Sequence, residues 1–514
     1  MKKYLLLLHV FMGTIVFAQV PEDALRYSFY PQNGTARNLA IGGAMGSLGG
    51  DLNATFVNPA GLGFYKTSEF VLSPGFNLNN NKSSFRQTDS KTNKNSFAFG
   101  PSGWVFGFSN QKNSANSSAF SLAITQTANF NNQIKYKGLN NYSSFSEQFA
   151  EEFAKSGYSI DEVLNINSPL PYGSAPALYT YLIDTVKVNG IYQVKGAPEY
   201  ILDAGQALQQ EMMKTTTGGI SEIALGIAHN NNDKWYFGGT IGLPIVNYTS
   251  NTVFKESDTS ANISNHFKQF EYSDDFTTKG FGLNARIGVI YRPQDYFRLG
   301  LAIHTPSFMY LKDTRTTTIT TALENPVNNF NTSSTSFTNN QPGESKYQQT
   351  TPFKAILSAS YVFREISDVK KQRAFITLDA EYVHHKGSKF SSDNENVTEQ
   401  EKIYYKALTN VVKTNYKGNF NFRLGGELKF NTIMGRLGFA YYGNPYKDAT
   451  YKASRMLLSG GLGYRNKGVF VDLTYVYTIS KDVDFPYRLE DRANTYATLK
   501  QQRGNIMATV GFKW

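Results

Sequence analysis

Two carboxylates, Asp379 and Glu381, lie two residues apart in the stretch Arg373–Lys386, and two adjacent histidines, His384 and His385, follow. Positions two apart on a strand share a face, so Asp379 and Glu381 are placed as an acid/base pair would be. The same geometry sends His384 and His385 to opposite faces, where they cannot readily clamp one metal ion. His229, His266 and His304 are scattered, and isolated histidines of this kind are more often structural than haem or metal ligands. No Gly-x-Ser-x-Gly elbow, phosphate-binding glycine loop or His-Glu-x-x-His motif occurs. The chain has no cysteine, which removes disulfides, thiolate metal sites, cysteine nucleophiles and a lipid anchor on cysteine. We expect no enzyme activity, no metal and no cofactor. Asp379 and Glu381 are expected to pair with arginines.

The composition points to strands and long polar loops. Among 514 residues there are 33 Tyr and 38 Phe, yet charged residues are only 18% and mean hydropathy is −0.38. That is too polar for a helical membrane protein, and β-forming aromatics are abundant. The net charge of +11 is spread out rather than clustered, which argues against nucleic acid and for attraction to an anionic lipid surface. At the amino terminus, Lys2-Lys3, the apolar run Tyr4–Phe17 and the sequence Val16-Phe17-Ala18 predict a secretory signal peptide over 1–18. A retained anchor is the rival reading. No later stretch approaches the roughly 20 apolar residues of a spanning helix. The exported chain is therefore periplasmic, secreted or an outer-membrane β-barrel.

The strand pattern decides among these. Fourteen segments carry alternating character: Phe70–Asn79, Phe97–Asn110, Ser118–Phe130, Gly219–Asn230, Lys234–Thr252, Thr278–Tyr291, Tyr296–Leu311, Lys346–Arg364, Arg373–Lys386, Gly418–Phe430, Ile433–Tyr442, Ser454–Arg465, Gly468–Ser480 and Gly504–Trp514. In Gly418–Phe430, for example, Phe420, Phe422, Leu424, Leu428 and Phe430 oppose Asn421, Arg423, Glu427 and Lys429. A soluble sandwich would alternate too, but here the connections alternate in length. Short ones are Asn230–Asp233, Arg292–Asp295, Asn431–Thr432 and Asn466–Lys467. Long ones are Asn131–Gly218, Ser250–Thr277, Lys312–Ser345, Gly387–Lys417 and Lys481–Arg503. An even strand number, short periplasmic turns, long external loops and an aromatic terminus at Trp514 fit a bacterial outer-membrane barrel, and closure removes edges from lipid. The fold expected is all-β, a 14-stranded antiparallel transmembrane barrel.

The polar faces then point inward and carry Glu222, Arg286, Arg298, Asp379, Glu381, Arg423, Glu427, Lys429, Arg436 and Asp472. These charges are expected to pair with each other and with a plug; an ion-selective ring is the alternative. Within the longest loop, 131–218, the segments Phe145–Ala154 and Glu199–Lys214 have helix-like spacing, with Leu202, Ala204, Leu208 and Met212 near one face. Such a loop either covers the outer mouth as a greasy landing surface or packs on itself.

Asn33–Thr67 is unlike the rest. Eight of the 43 glycines fall between Gly34 and Gly63, and the stretch ends in Asn58-Pro59-Ala60-Gly61-Leu62. Small residues permit tight folding and close approach, so the segment reads as a compact plug or as a glycine-rich loop before the first strand. This segment, placed after a signal peptide and just before the first strand, resembles the amino terminus of the FadL/TodX family of outer-membrane transporters. Gly34, Ala36, Gly42-Gly43-Ala44 and Asp51 are similar to that family's hatch, and Ala302–Ser307 is similar to a mid-barrel pattern of the family. The resemblance is sharp only over Gly34–Leu62.

The resemblance implies an organisation of signal peptide (1–18), hatch (19–68) and barrel (69–514). It implies uptake of hydrophobic small molecules such as long-chain fatty acids in a Gram-negative outer membrane among lipid and lipopolysaccharide. The cargo would land among the outer loops, reach an internal pocket, pass on a shift of the hatch and leave sideways through the wall. Asn58, Pro59, Ala60, Gly42 and Gly43 carry over as hatch residues on the path. Alternatives are a secretion-system or protein-binding barrel, a haemin receptor and an open polar porin.

Overall fold

The computed structural model describes residues 23–109, 115–188, 190–260, 262–324, 327–363, 373–394 and 396–514. The signal peptide expected over 1–18 lies outside them. Fourteen antiparallel strands follow one another round a closed barrel. They are β1 (Glu69–Leu72 and Pro74–Phe85), β2 (Thr88–Asn93, Ser96–Phe99 and Ser102–Ser109), β3 (Ser117–Asn129 and Asn132–Asn140), β4 (Leu208–Asn231), β5 (Trp235–Asp258), β6 (Gln269–Gln294) and β7 (Phe297–His304 and Phe308–Glu324). They continue as β8 (Gly343–Thr350 and Lys354–Phe363), β9 (Ala374–His384 and Lys389–Ser392), β10 (Gly418–Phe430), β11 (Ile433–Tyr442), β12 (Arg455–Asn466), β13 (Val469–Asp484) and β14 (Ala497–Lys513). The circle closes where β1 pairs with β14, from Glu69↔Lys513 to Ser84↔Thr498. Ser68 and Trp514 exchange backbone hydrogen bonds at 3.1 Å and tie the first strand to the last residue.

Alternation puts apolar side chains outside and polar ones inside. On β10, Phe422 is 46% exposed and its neighbour Arg423 1%, the reverse of a soluble protein. On β13, Val469, Val471, Leu473 and Tyr475 are exposed while Asp472 and Thr474 are buried. A continuous apolar exterior of this extent needs a partner phase, and hydrocarbon is the one a closed barrel suits. Near the short-turn end the outer aromatics gather. Trp235 stacks on Tyr291 at 4.2 Å, and Tyr296, Tyr361, Phe430, Tyr464 and Trp514 stand exposed, as in an interfacial girdle.

The strands outrun the expected segments at their other ends. A membrane-crossing strand needs about 9–11 residues, whereas β4 and β5 have 24 and β6 has 26. Their upper halves pair with one another well past any bilayer, from Leu208↔Asn140 and Leu208↔Asp258 downward. Asn80–Ser96, read as loop, is instead the top of the β1–β2 hairpin, turning at Arg86-Gln87 with φ of 46° and 66°. The helical spacing over Glu199–Lys214 holds only for Glu199–Asp203; from Leu208 the chain is β4. Leu208 and Met212 are four apart, a spacing that shares a face on a strand as well as on a helix, and both are buried with Gln210 between them.

Above the barrel the long loop packs on itself. The helix α1 (Ser146–Ser156) seats Phe145 and Phe149 against Phe254, Phe270, Tyr272 and Tyr487, with ring centroids 4.4–6.0 Å apart. Leu182, Ile183 and Ile201 are buried in the same core. Part of the loop's hydrophobic surface is buried in this core, while Ile166, Tyr179, Tyr181, Ile191 and Tyr192 stand exposed. A second helix, α2 (Glu399–Asn415), starts at a capping box of Thr398 and Glu401 and covers the β9–β10 connection.

Candidate functional site

Residues 34–64 touch the inward faces of strands on every side of the barrel. A short helix, Ala36–Ala40, is capped by Thr35, whose hydroxyl also donates to Asp51 at 3.0 Å. Asp51 in turn caps the 3-10 turn Leu52–Phe56, accepting from Asn53 N at 2.9 Å. Asn58 caps the next turn, Pro59–Phe64, accepting from Ala60 N at 3.1 Å, and donates to Gly46 O at 2.6 Å. Pro59 follows the cap, where its missing N–H costs nothing. Small polar residues thus meet the orphan N–H groups of three short turns.

The contacts with the wall are close because glycines on the strands face this segment. A methyl group on Gly238 of β5 would come within 2.3 Å of the Pro59 carbonyl carbon, and one on Gly288 of β6 within 1.9 Å of Asn58 Oδ1. Gly42, with φ of 68°, lies against the Phe439 backbone of β11. Gly43, with φ of 81°, donates to Asn38 O at 2.9 Å. Asn58, Pro59 and Ala60 therefore sit together against β5 and β6, while Gly42 and Gly43 sit across the lumen beside β10 and β11. Sequence reasoning passed over the wall glycines. Their signal was inward parity: Gly238, Gly288, Gly300, Gly425 and Gly438 each occupy a position where the pattern calls for a polar side chain.

Most of the inward charges expected from the sequence are paired. Arg286 grips Glu222 with two hydrogen bonds, 2.6 and 3.0 Å. Arg423 donates to Glu381 at 2.9 Å, and Arg436 bridges Glu427 and Asp472 at 2.6 and 2.5 Å. Arg37, from the amino-terminal segment, approaches Glu427 at 3.8 Å, and Arg298 donates to Leu48 O at 3.0 Å. Asp379 departs from the expected arginine pairing. Its carboxylate accepts from Met45 N and Gly46 N, each at 3.0 Å, and from Ser358 Oγ at 2.6 Å. The two carboxylates thus do different work: Glu381 neutralises an arginine, whereas Asp379 holds the chain at Met45–Gly46. The histidines are dispersed. His304 contacts Val57 O at 2.7 Å, His229 the Ser118 hydroxyl, His384 the Tyr382 hydroxyl, and His266 and His385 the rings of Tyr200 and Phe29.

One seam in the wall is not closed by backbone. The β2–β3 ladder runs only from Ser102↔Ile124 to Ser109↔Ser117. Above it β3 kinks, with a register shift against β4 at Ile220/Ser221 that leaves Thr127 unpaired. Side chains bridge the seam instead. Asn129 donates to Phe97 O at 3.1 Å and Asn79 to Asn131 O at 2.8 Å. Asn33, from the amino-terminal segment, donates to both Phe99 O and Gln126 O at 2.8 Å.

Three cavities adjoin along the barrel. An outer groove of about 560 Å³ lies beside α1, where Phe149 and Tyr272 face Glu152, Arg315 and Asp274. Its lining mixes aromatic and charged side chains. It shares Lys214 and Asp484 with a luminal cavity of about 400 Å³. That cavity reaches the seam at Gln126–Asn131 and shares Tyr30, Gln32, Asn33 and Thr127 with a smaller one of about 110 Å³ above Phe56 and Arg286.

No protein-family model and no curated protein matches the sequence. Solved structures match the fold. A FadL homologue of Pseudomonas aeruginosa aligns over 94% of this chain and 99% of its own at 13% identity and a TM-score of 0.52. The P. putida toluene transporter TodX aligns over 94% and 99% at 12% identity and a TM-score of 0.53.

Proposed function

We propose that this chain, which has the fold of the FadL and TodX barrels, is an outer-membrane channel that takes up hydrophobic small molecules, with long-chain fatty acids among the expected cargo. Residues 19–68 act as its hatch. The observation that supports this most is the series of adjoining cavities from the outer groove to residues 27–33, ending beside a wall seam that Asn33 itself bridges. Cargo descends to Tyr30, the segment shifts, Asn33 withdraws from Phe99 and Gln126, and the cargo leaves through the β2–β3 wall into the bilayer. Asn58, Pro59 and Ala60 anchor one end of the hatch against β5 and β6; Gly42 and Gly43 let the other end turn beside β11. An open porin is disfavoured by the buried amino-terminal turns.

The absence of cysteine makes a clean test. The Ser47 and Ser358 hydroxyls are 2.8 Å apart across the hatch–wall contact, close enough for paired Cβ atoms to carry a disulfide. In cells expressing Ser47→Cys/Ser358→Cys, oxidation is expected to stop uptake of labelled oleate and toluene, and reductant to restore it. Equal uptake by the oxidised and reduced protein, with the bond confirmed by mass, refutes the hatch.

A further inference from the structure

Resting on the uptake reading, the geometry points to a cargo that carries a negative charge. We infer that the luminal cavity is a binding site for a compact amphipathic anion, an aromatic or cyclic carboxylate, with Arg455 and Arg503 as its receptors.

Almost every other inward arginine has a partner. Arg286, Arg315, Arg423 and Arg436 each hold a carboxylate. Arg455 of β12 and Arg503 of β14 both line the 400 Å³ cavity and differ from them. Among the described residues neither makes an ion pair or a side-chain hydrogen bond. Arg455 lies 4.4 Å over the Phe29 ring, and Arg503 Nε is buried without a partner. Both side chains are half-buried, with donors turned to the cavity, and a guanidinium's planar fork suits a carboxylate. Asp482 lines the same cavity and is the carboxylate whose charge both arginines feel, so two guanidinium charges share one carboxylate and a net positive charge faces the cavity.

The rest of the lining fits a ligand with an apolar body and a polar end. Phe29, Phe130 and Tyr248 offer ring faces, while Asn131, Gln501 and Thr478 offer hydrogen bonds. A hydrocarbon would leave these polar groups and both arginines unsatisfied. The smaller cavity below repeats the pattern on one cation. Lys354 lines it, with no ion pair within 4.0 Å among the described residues, near Glu381 and with its ammonium 5.5 Å from the Tyr30 ring. An anion leaving the arginine pair therefore meets a second positive charge beside the hatch, which gives the descent a direction.

The test is equilibrium dialysis of the full chain in nanodiscs against 2-naphthoate, naphthalene and palmitate, with protein-free nanodiscs as blank. Heat-modifiable gel mobility confirms that each variant is a folded barrel. Naphthoate is expected to bind more tightly than the other two. Arg455→Gln/Arg503→Gln is expected to lose about ten-fold or more of that binding, since charge-assisted bonds are the strong ones, with Arg455→Lys/Arg503→Lys recovering part of it. Naphthalene or palmitate bound as tightly as naphthoate, and unchanged in the glutamine variant, overturns the anionic site while leaving uptake standing. No binding of any of the three, together with equal uptake by the oxidised and reduced cysteine pair, overturns both.

Discussion

Asp379 is a wall residue whose carboxylate accepts from two backbone amides of the amino-terminal segment, and removing it tests the proposal that this segment is a hatch held closed by such contacts. In Asp379→Ala the amides of Met45 and Gly46, buried at the hatch–wall contact, lose their acceptor, and Ser358 loses one of its two hydroxyl contacts. Each orphaned buried N–H costs about 1–3 kcal/mol. Two of them raise the closed state by roughly 2–6 kcal/mol, about 30-fold to 10⁴-fold in the closed-to-open ratio. The Arg423–Glu381 pair is a separate contact, so the wall itself should hold. Hydrogen exchange by mass spectrometry on the peptide containing Met45–Ser47 is the direct readout. Its protection is expected to fall by that factor while the peptide over Ser146–Ser156 in the cap stays unchanged, and conductance in planar bilayers is expected to gain brief openings. In Asp379→Asn the amide oxygen can keep the place of Oδ2, which accepts from both N–H groups, while its NH₂ faces the Ser358 hydroxyl, so it should lie between alanine and the native protein. Unchanged protection of Met45–Ser47 in a correctly folded alanine variant would show that the carboxylate does not hold the hatch.

Three further outcomes follow from the same contacts. Gly238→Ala sets a methyl group 2.3 Å from the Pro59 carbonyl carbon, so exchange protection over Asn58–Leu62 should drop while heat-modifiable mobility of the barrel persists; a native exchange pattern refutes the seat. Asn33→Ala removes both hydrogen bonds across the β2–β3 seam, and exchange at Phe97–Phe99 is expected to rise by about 30-fold, at roughly 1 kcal/mol per bond lost. In the cap, burial raises the Glu199 carboxyl from 4.5 to about 7. The folded cap therefore holds a proton that the opened cap releases above about 4.5, so cap stability should fall as pH rises from about 4.5 to 7 and then level off. Glu199→Gln should flatten that profile in exchange measurements at Ile191–Asp203; an unaltered slope refutes the assignment.

The parts of this fold that were legible in the sequence are those where parity and polarity coincide. All fourteen strands could be placed because their membrane-crossing halves need apolar side chains on alternate positions, as in Phe420, Phe422 and Leu424. Where strands leave the bilayer that constraint lapses. Asn79, Asn81 and Ser83 of β1 keep the inward parity but have polar neighbours on the other face, so the pattern vanishes although the ladder to Gln501 and Leu499 continues. The amino-terminal segment was legible as compact because its glycines and caps are local signals. Its seat on the wall was not, since that depends on inward glycines hundreds of residues away, such as Gly238 and Gly438, whose meaning appears only when they face Pro59 and Gly42. Charge shows the same division. Sequence parity placed Asp379, Glu381 and Arg423 on inner faces, and pairing was the expectation for any buried ion. Which carboxylate would hold backbone amides was not decided by register, which sets Asp379 opposite both Ser358 and Arg423; it was decided by the level of Met45 and Gly46, whose amides take Asp379 while Arg423 reaches to Glu381, two residues on. An ion pair on one and a chain anchor on the other is a difference of one step along the strand.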